Sequence, residues 1–238
     1  VKIAVFSDVH GNRHALEMVL QDIAVRNPDL TVCLGDLVGY NAFPSEVVRL
    51  IRENGIATVI GNYDDAIANS RMVCGCDYKD VKAAELGIKS ITWTVENTGP
   101  EEKEFLRSLP DKLLSKLGGY QVLFVHGSPR KLNEYLFEDT TAGDVLAMMQ
   151  DASADVLICG HTHLPYHRVI EGRHVINVGS VGKPKHGDPD AVYALVEFNG
   201  GVQTKFIKVP YDHEAAARAV ENAGLPKEFA AILRTGRG

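Results

Sequence analysis

VLICGHTHLP, residues 156–165, begins with four apolar or thiol residues and then breaks at Gly160 into two histidines one residue apart. A short apolar run closed by a glycine reads as a strand covered on both faces. Such strands belong to layered α/β folds. The imidazoles at its end are then either incidental or one part of a metal site.

Working outward, strand patterns recur at residues 2–7, 30–34, 57–60, 120–125, 175–178, 191–198 and 204–209. Between the first two, NRHALEMVLQDIAVRN puts Leu16, Val19, Leu20 and Ile23 on one helical face. PSEVVRLIREN, a stretch from about Lys79 to Glu96, PEEKEFLRSLP with Pro100 in its first turn, and TTAGDVLAMMQDAS with a capping threonine also read as helices. The first half therefore alternates β-α-β-α-β, which favours parallel strands with helices outside. The last three strands have no helix between them and are expected to form hairpins. DHEAAARAVENAG and LPKEFAAILRTG close the chain as two helices that suggest no chemistry. No linker rich in Gly, Pro or Ser interrupts this order. Residues 1–238 are expected to form one α/β domain of two stacked sheets with helices on the outer faces.

A chain of 238 residues can bury a substantial core, and 45% hydrophobic with 24% charged residues is ordinary for a globular protein. The formal charge of −6 gives no support to broad attraction for nucleic acid or anionic membrane. No apolar run approaches the ~18 residues of a membrane helix. VKIAVFSD reads directly as a strand rather than a secretory leader, so a cytoplasmic location is expected. Cys33 and Cys159 sit in apolar runs and read as small buried thiols. Cys74 and Cys76 form C-x-C, which could hold a soft metal or close a disulfide. With no second cysteine pair nearby, a purely structural role is preferred.

The strand ends carry the chemistry. The first runs into Ser7-Asp8-Val9-His10-Gly11-Asn12, the second into Gly35-Asp36, and the third into Gly61-Asn62-Tyr63-Asp64. The fourth ends at His126-Gly127 and the fifth at Gly160-His161-Thr162-His163. Each buried run thus ends in a ligand-type side chain beside a glycine, where α/β sheets gather their sites. Singly, each residue is a turn former or a satisfied core histidine. Together, Asp8, His10, Asp36, Asn62, His126, His161 and His163 are too many donors for one ion with an open position. They suit two ions sharing a carboxylate. Nitrogen and oxygen donors without thiolate point to manganese, iron, zinc, nickel or cobalt.

D-x-H, G-D, G-N-x-D, H-G and G-H-x-H in this order resemble the calcineurin-like metallophosphoesterases, over Asp8 to His163. The resemblance implies a four-layer α/β/β/α sandwich of two mixed sheets. It implies that Asp8, His10 and His163 hold one divalent ion and Asn62, His126 and His161 a second, with Asp36 shared. It further implies hydrolysis of a small phosphate ester or nucleotide by a hydroxide between the two ions, without a phosphoenzyme. The remainder of the set, SDVHGNRHALEMVL, GDLVGY and GNYD, is most similar to small bacterial or archaeal phosphodiesterases.

The chain departs from the family pattern at Tyr63, where many members carry the histidine that protonates the leaving oxygen. Tyrosine is a weaker acid for that task. The expected substrates are therefore esters whose leaving groups need little protonation, such as aryl esters, nucleotide phosphodiesters or anhydrides. Asp64 is the candidate catalytic residue, with a structural cap as the competing role. Asn12, Tyr63, Asn177 and Ser180 are candidate substrate contacts, and His14, His167 and His186 are possible substitute acids. GDLVGYN lacks the arginine of the protein-phosphatase motif G-D-x-x-D-R-G, and Tyr40 stands one position late for the purple acid phosphatase ligand. Dinucleoside-polyphosphate hydrolysis, phosphomonoester hydrolysis and a non-catalytic scaffold are the alternatives. Lys183, Lys185 and His186 read as a solvated loop in preference to a second phosphate site.

Overall fold

In the computed structural model, which describes residues 1–78 and 80–238, the apolar runs assemble into two five-stranded sheets. The first contains β1 (Lys2–Phe6), β2 (Leu30–Cys33), β3 (Ala57–Thr58), β9 (Ala191–Phe198) and β10 (Val202–Val209), in the order β10-β9-β1-β2-β3. The second contains β4 (Lys112–Leu117), β5 (Tyr120–Val125), β6 (Val156–Cys159), β7 (Tyr166–Ile170) and β8 (Arg173–Asn177), in the order β4-β5-β6-β8-β7. β1, β2 and β3 are parallel, as are β5, β6 and β8, while the remaining pairings are antiparallel. Both sheets are therefore mixed.

The side-chain period of two sorts each strand between two cores. Ile3, Val5, Val32, Leu34, Val122, Phe124, Val156, Ile158 and Ile176 meet between the sheets. Ala4, Phe6 and Cys33 face the opposite way, toward α1 (Arg13–Arg26), α2 (Pro44–Glu53), α3 (Asn62–Ala68), α7 (His213–Asn222) and α8 (Lys227–Thr235). Leu123, Val125, Leu157, Cys159 and Val175 back onto α6 (Ala142–Asp151) through Val145, Met148 and Met149. These are the four expected layers. Each fully buried Leu, Ile, Val or Phe contributes about 1.5–3 kcal/mol, so the two-faced burial is the main force holding the sheets together.

Two details of the sheets differ from the sequence expectation. β9 and β10 form a hairpin, but β8 lies parallel to β6 in the second sheet, and residues 178–190 cross to the first. That crossing is fastened over the end of β1, with Val181 N–H donating to Ser7 O and Gly182 N–H to Asp8 O, both at 3.0 Å. β4 and β7 were not expected; they are the two edges of the second sheet, where the strands are only partly buried and no continuous apolar run is needed. The expected helix start at Lys79 lies outside the described residues. α4 (Val81–Asn97) is capped by the Asp80 carboxylate, which accepts from Ala83 N–H at 2.8 Å, and α5 (Pro100–Ser108) follows. Among the described residues no helix is long and apolar enough to cross a membrane.

Candidate metal centre

The parallel strands deliver their carboxyl ends to one rim, where the chain must turn sharply. Asp8, His10, Asp36, His161 and His163 all adopt positive φ, between 49° and 66°. Side chains rarely occupy this region, and strain of about 1–3 kcal/mol per residue persists only where surrounding bonds over-determine it. Here Asp8 N–H donates to Gly35 O at 3.0 Å, His10 N–H to Asp36 O at 2.8 Å, and His161 N–H to the Asp8 carboxylate at 3.0 Å. Glycine alone fits beside them at one point: a Cβ on Gly61 would collide with the backbone and carboxylate of Asp36.

The first group is Asp8, His10 and His163, whose ligand atoms lie within 4.8 Å of one another. His10 Nδ1 lies 3.1 Å from Val38 O, and His163 Nδ1 lies 2.5 Å from Lys183 O. A carbonyl only accepts, so each Nδ1 carries its proton and each Nε2 presents a lone pair. Those two lone pairs face each other at 3.3 Å, with Asp8 Oδ1 3.1 Å from His163 Nε2. Asp8 Oδ1 has no hydrogen-bond partner. Burial lowers the His163 pKa to about 4 and also depresses His10, so protonation does not resolve the contact near neutrality. Three converging acceptors without a proton fit a cation.

The second group repeats this logic. His126 Nδ1 is bonded to Leu34 O at 2.7 Å, which turns its Nε2 lone pair toward Asn62 Oδ1 at 2.9 Å and His161 Nδ1 at 3.2 Å. The Asn62 amide donates to Cys74 O at 3.1 Å and Cys76 Sγ at 3.2 Å, so its oxygen is the atom aimed inward. Burial lowers the His161 pKa to about 2, and its Nε2 has no partner. Asp36 Oδ2 lies 3.6 Å from His10 Nε2 and 3.5 Å from His126 Nε2, within reach of both groups. Burial, with Asp8 and Asp64 adding negative charge, raises the Asp36 pKa well above the usual carboxylate range. Seven acceptors and too little positive charge are what a pair of divalent ions would complete.

A cleft of about 240 Å³ opens over these groups. His10, Asp36, His161 and His163 line its base, and Tyr40, Tyr63, Tyr78, Tyr135 and Phe229 are among its walls. Tyr63 is buried, its ring 4.8 Å from Tyr40 and 5.4 Å from His10, and burial raises its hydroxyl pKa. Asp64 spends both oxygens on main-chain N–H groups: Leu37 at 2.8 Å, Val38 at 3.3 Å and Gly61 at 3.0 Å. Its carboxyl, raised to about 6 by burial, fixes the turns that carry Asp36 and Asn62. Asn12 caps α1 through Ala15 N–H at 3.1 Å, Asn177 donates to Gly160 O at 2.6 Å, and Ser180 donates to Asp8 O at 2.8 Å. These three are outside the cleft lining and brace the loops beneath it. His14, His167 and His186 are also outside the lining.

Several wall residues gave no signal in the sequence. Tyr135 stacks on His161 with ring centroids 4.0 Å apart. Cys76 and Tyr78 bring the C-x-C segment to the cleft, and both of its thiols are free. Phe229 and Ile232 of α8 close the far side. Lys183 is only 8% exposed, so it is not the solvated loop residue its neighbours suggested.

Residues 1–201 match the family model described as the calcineurin-like phosphoesterase superfamily domain. The chain is 32% identical to the uncharacterised protein MJ0912 of Methanocaldococcus jannaschii, over 99% of this chain and 98% of that one. The crystal structure of a metallophosphoesterase from Sphaerobacter thermophilus superposes with a TM-score of 0.78 at 31% identity, covering 99% and 98% of the two chains. That of hypothetical protein PH1004 from Pyrococcus horikoshii does so with a TM-score of 0.85 at 26% identity, with the same coverage.

Proposed function

The chain belongs to the calcineurin-like phosphoesterase superfamily, and we propose that it is a dinuclear metal-dependent phosphodiesterase acting on small phosphate esters or nucleotides. One observation carries this reading: two sets of buried, proton-free acceptors converge at the base of a cleft, with Asp36 within reach of both. In it, Asp8, His10 and His163 hold one ion, Asn62, His126 and His161 the other, and Asp36 both. Bound divalent ions would supply charge neutralisation at phosphorus and a water acidic enough to be ionised near neutral pH. The chain's own residues do the rest. Main-chain carbonyls of Leu34, Val38 and Lys183 hold three imidazoles with their lone pairs inward. Aromatic walls exclude water and offer stacking faces to an aryl or nucleoside leaving group. The Tyr63 hydroxyl, held protonated by burial, is a poor proton donor, which favours leaving groups that depart unprotonated. Residues 1–238 act as one unit in this account, because α8 walls the cleft.

The test compares bis-p-nitrophenyl phosphate with p-nitrophenyl phosphate, using metal-stripped protein reloaded with Mn²⁺. Diester turnover above monoester turnover, abolished in His161→Ala, is expected. Turnover of the monoester alone would overturn the leaving-group argument, and turnover of neither would overturn the enzyme.

A further inference from the structure

Resting on the phosphoesterase reading above, we propose that Lys183, seated on Tyr40, forms a second anion subsite beside the metal centre. The substrate would then carry a phosphate next to the one cleaved, as in a nucleoside phosphoanhydride.

Lys183 is more than nine-tenths buried, and its side chain lines the cleft. Its backbone is pinned at both ends: the N–H donates to Ser180 Oγ at 2.9 Å, and the carbonyl accepts from His163 Nδ1 at 2.5 Å. The ammonium lies 4.2 Å from the centre of the Tyr40 ring, whose edge-on neighbour is His10 with centroids 5.0 Å apart. Among the described residues no carboxylate pairs with it. A ring face offsets only part of the cost of burying an ammonium, and a buried charge without a counter-ion is poorly tolerated. Of the carboxylates lining the cleft, Asp36 is committed to the acceptor groups, Glu228 pairs with Lys82 at 3.1 Å, and Asp77 makes no ion pair with Lys183. An anionic group entering by the cleft mouth would supply the missing counter-ion.

Charge balance identifies what arrives. Two divalent ions exceed the carboxylates of Asp8 and Asp36 by an amount that one hydroxide and one singly charged diester cancel. A simple diester thus leaves Lys183 unmatched. A second phosphate supplies the missing negative charge. Its covalent tether to the scissile group places it within reach of a side chain whose backbone is bonded to His163. Lysine serves such a group as a point charge rather than a bidentate fork, so the subsite would read charge more than shape.

The experiment is calorimetric titration of the Mn²⁺-loaded protein with α,β-methylene-ADP and with AMP, two probes that differ by one phosphonate group and are not hydrolysed at that link. Wild type should bind α,β-methylene-ADP at least about tenfold tighter than AMP. Lys183→Met should shrink the ratio to within about twofold, and Lys183→Arg should restore most of it. Metal analysis of each variant confirms equal loading, and Lys183→Gln serves if the methionine variant does not fold. An unchanged ratio in Lys183→Met would overturn the subsite, as would equal weakening of both probes, since that would assign Lys183 to the metal-held phosphate. Lys183-dependent discrimination in a protein that hydrolyses no phosphate ester would keep the subsite and discard the phosphodiesterase.

Discussion

Asp8, His10 and His163 are seated differently from Asn62, His126 and His161. In the first group the orienting contacts come mainly from loops laid across the strand ends, Val38 O and Lys183 O for the imidazoles and Gly35 O and Ser180 for Asp8, whose carboxylate also accepts from His161 N–H. In the second, only His126 is set that way, by Leu34 O. Asn62 takes its orientation from Cys74 and Cys76, and His161 is covered by Tyr135. Those residues lie in segments without regular secondary structure, and Cys76 and Tyr135 are also cleft walls. The first group is thus fixed chiefly by main-chain groups of loops at the strand ends, whereas the second leans on Cys74, Cys76 and Tyr135. Changes at Cys76 and Tyr135 should reach the second ion and leave the first alone.

The strongest way to break this contrast is at its joint. Asp36→Ala should cost at least about a thousandfold in diester turnover and reduce binding at both sites. Metal analysis showing two ions retained would contradict its shared role. His10→Ala should remove the first ion only, with a loss of about a hundredfold or more, because no orienting contact of Asn62, His126 or His161 runs through its side chain. Loss of both ions would show that the groups are not separable.

Acid should act on both sites together. The Asp36 pKa is raised, first by burial and then by Asp8 and Asp64, so protons compete with a cation for this carboxylate at higher pH than for an ordinary one. Metal binding therefore releases a proton, and apparent affinity should fall as pH drops from 7 to 5.5, by up to about tenfold per pH unit. Indicator-dye titration checks this; no proton release at pH 6 would contradict it. The smallest effect sharpens the contrast. Cys76→Ala leaves Asn62 with Cys74 O alone, and should weaken the second ion by roughly threefold to tenfold while leaving the first unchanged.

Much of this was legible in the sequence because both faces of the central strands are buried. VLIC, KIAVF and YQVLFV read as continuous apolar runs, and the residues where they stop are the ones the rim collects. KLLSKL and YHRVI were missed because edge strands are only partly buried, and α3 because NYDDAIA is short, acidic and rich in turn residues. The ligand types could be read, but the nitrogen each imidazole presents could not. That depends on carbonyls of Leu34, Val38 and Lys183, which any residue supplies. The burial of Lys183 was hidden for a related reason. Its local sequence GKPKHGD is polar, and the residues that cover it, Tyr40 among them, come from elsewhere in the chain.

The most direct test of the two facing acceptor groups is a count of metal. Protein stripped with chelator, reloaded with excess Mn²⁺ and freed of unbound ion should retain two manganese ions per chain by atomic emission, and about one in His10→Ala. A single ion in wild type, or none, would contradict the account at its centre.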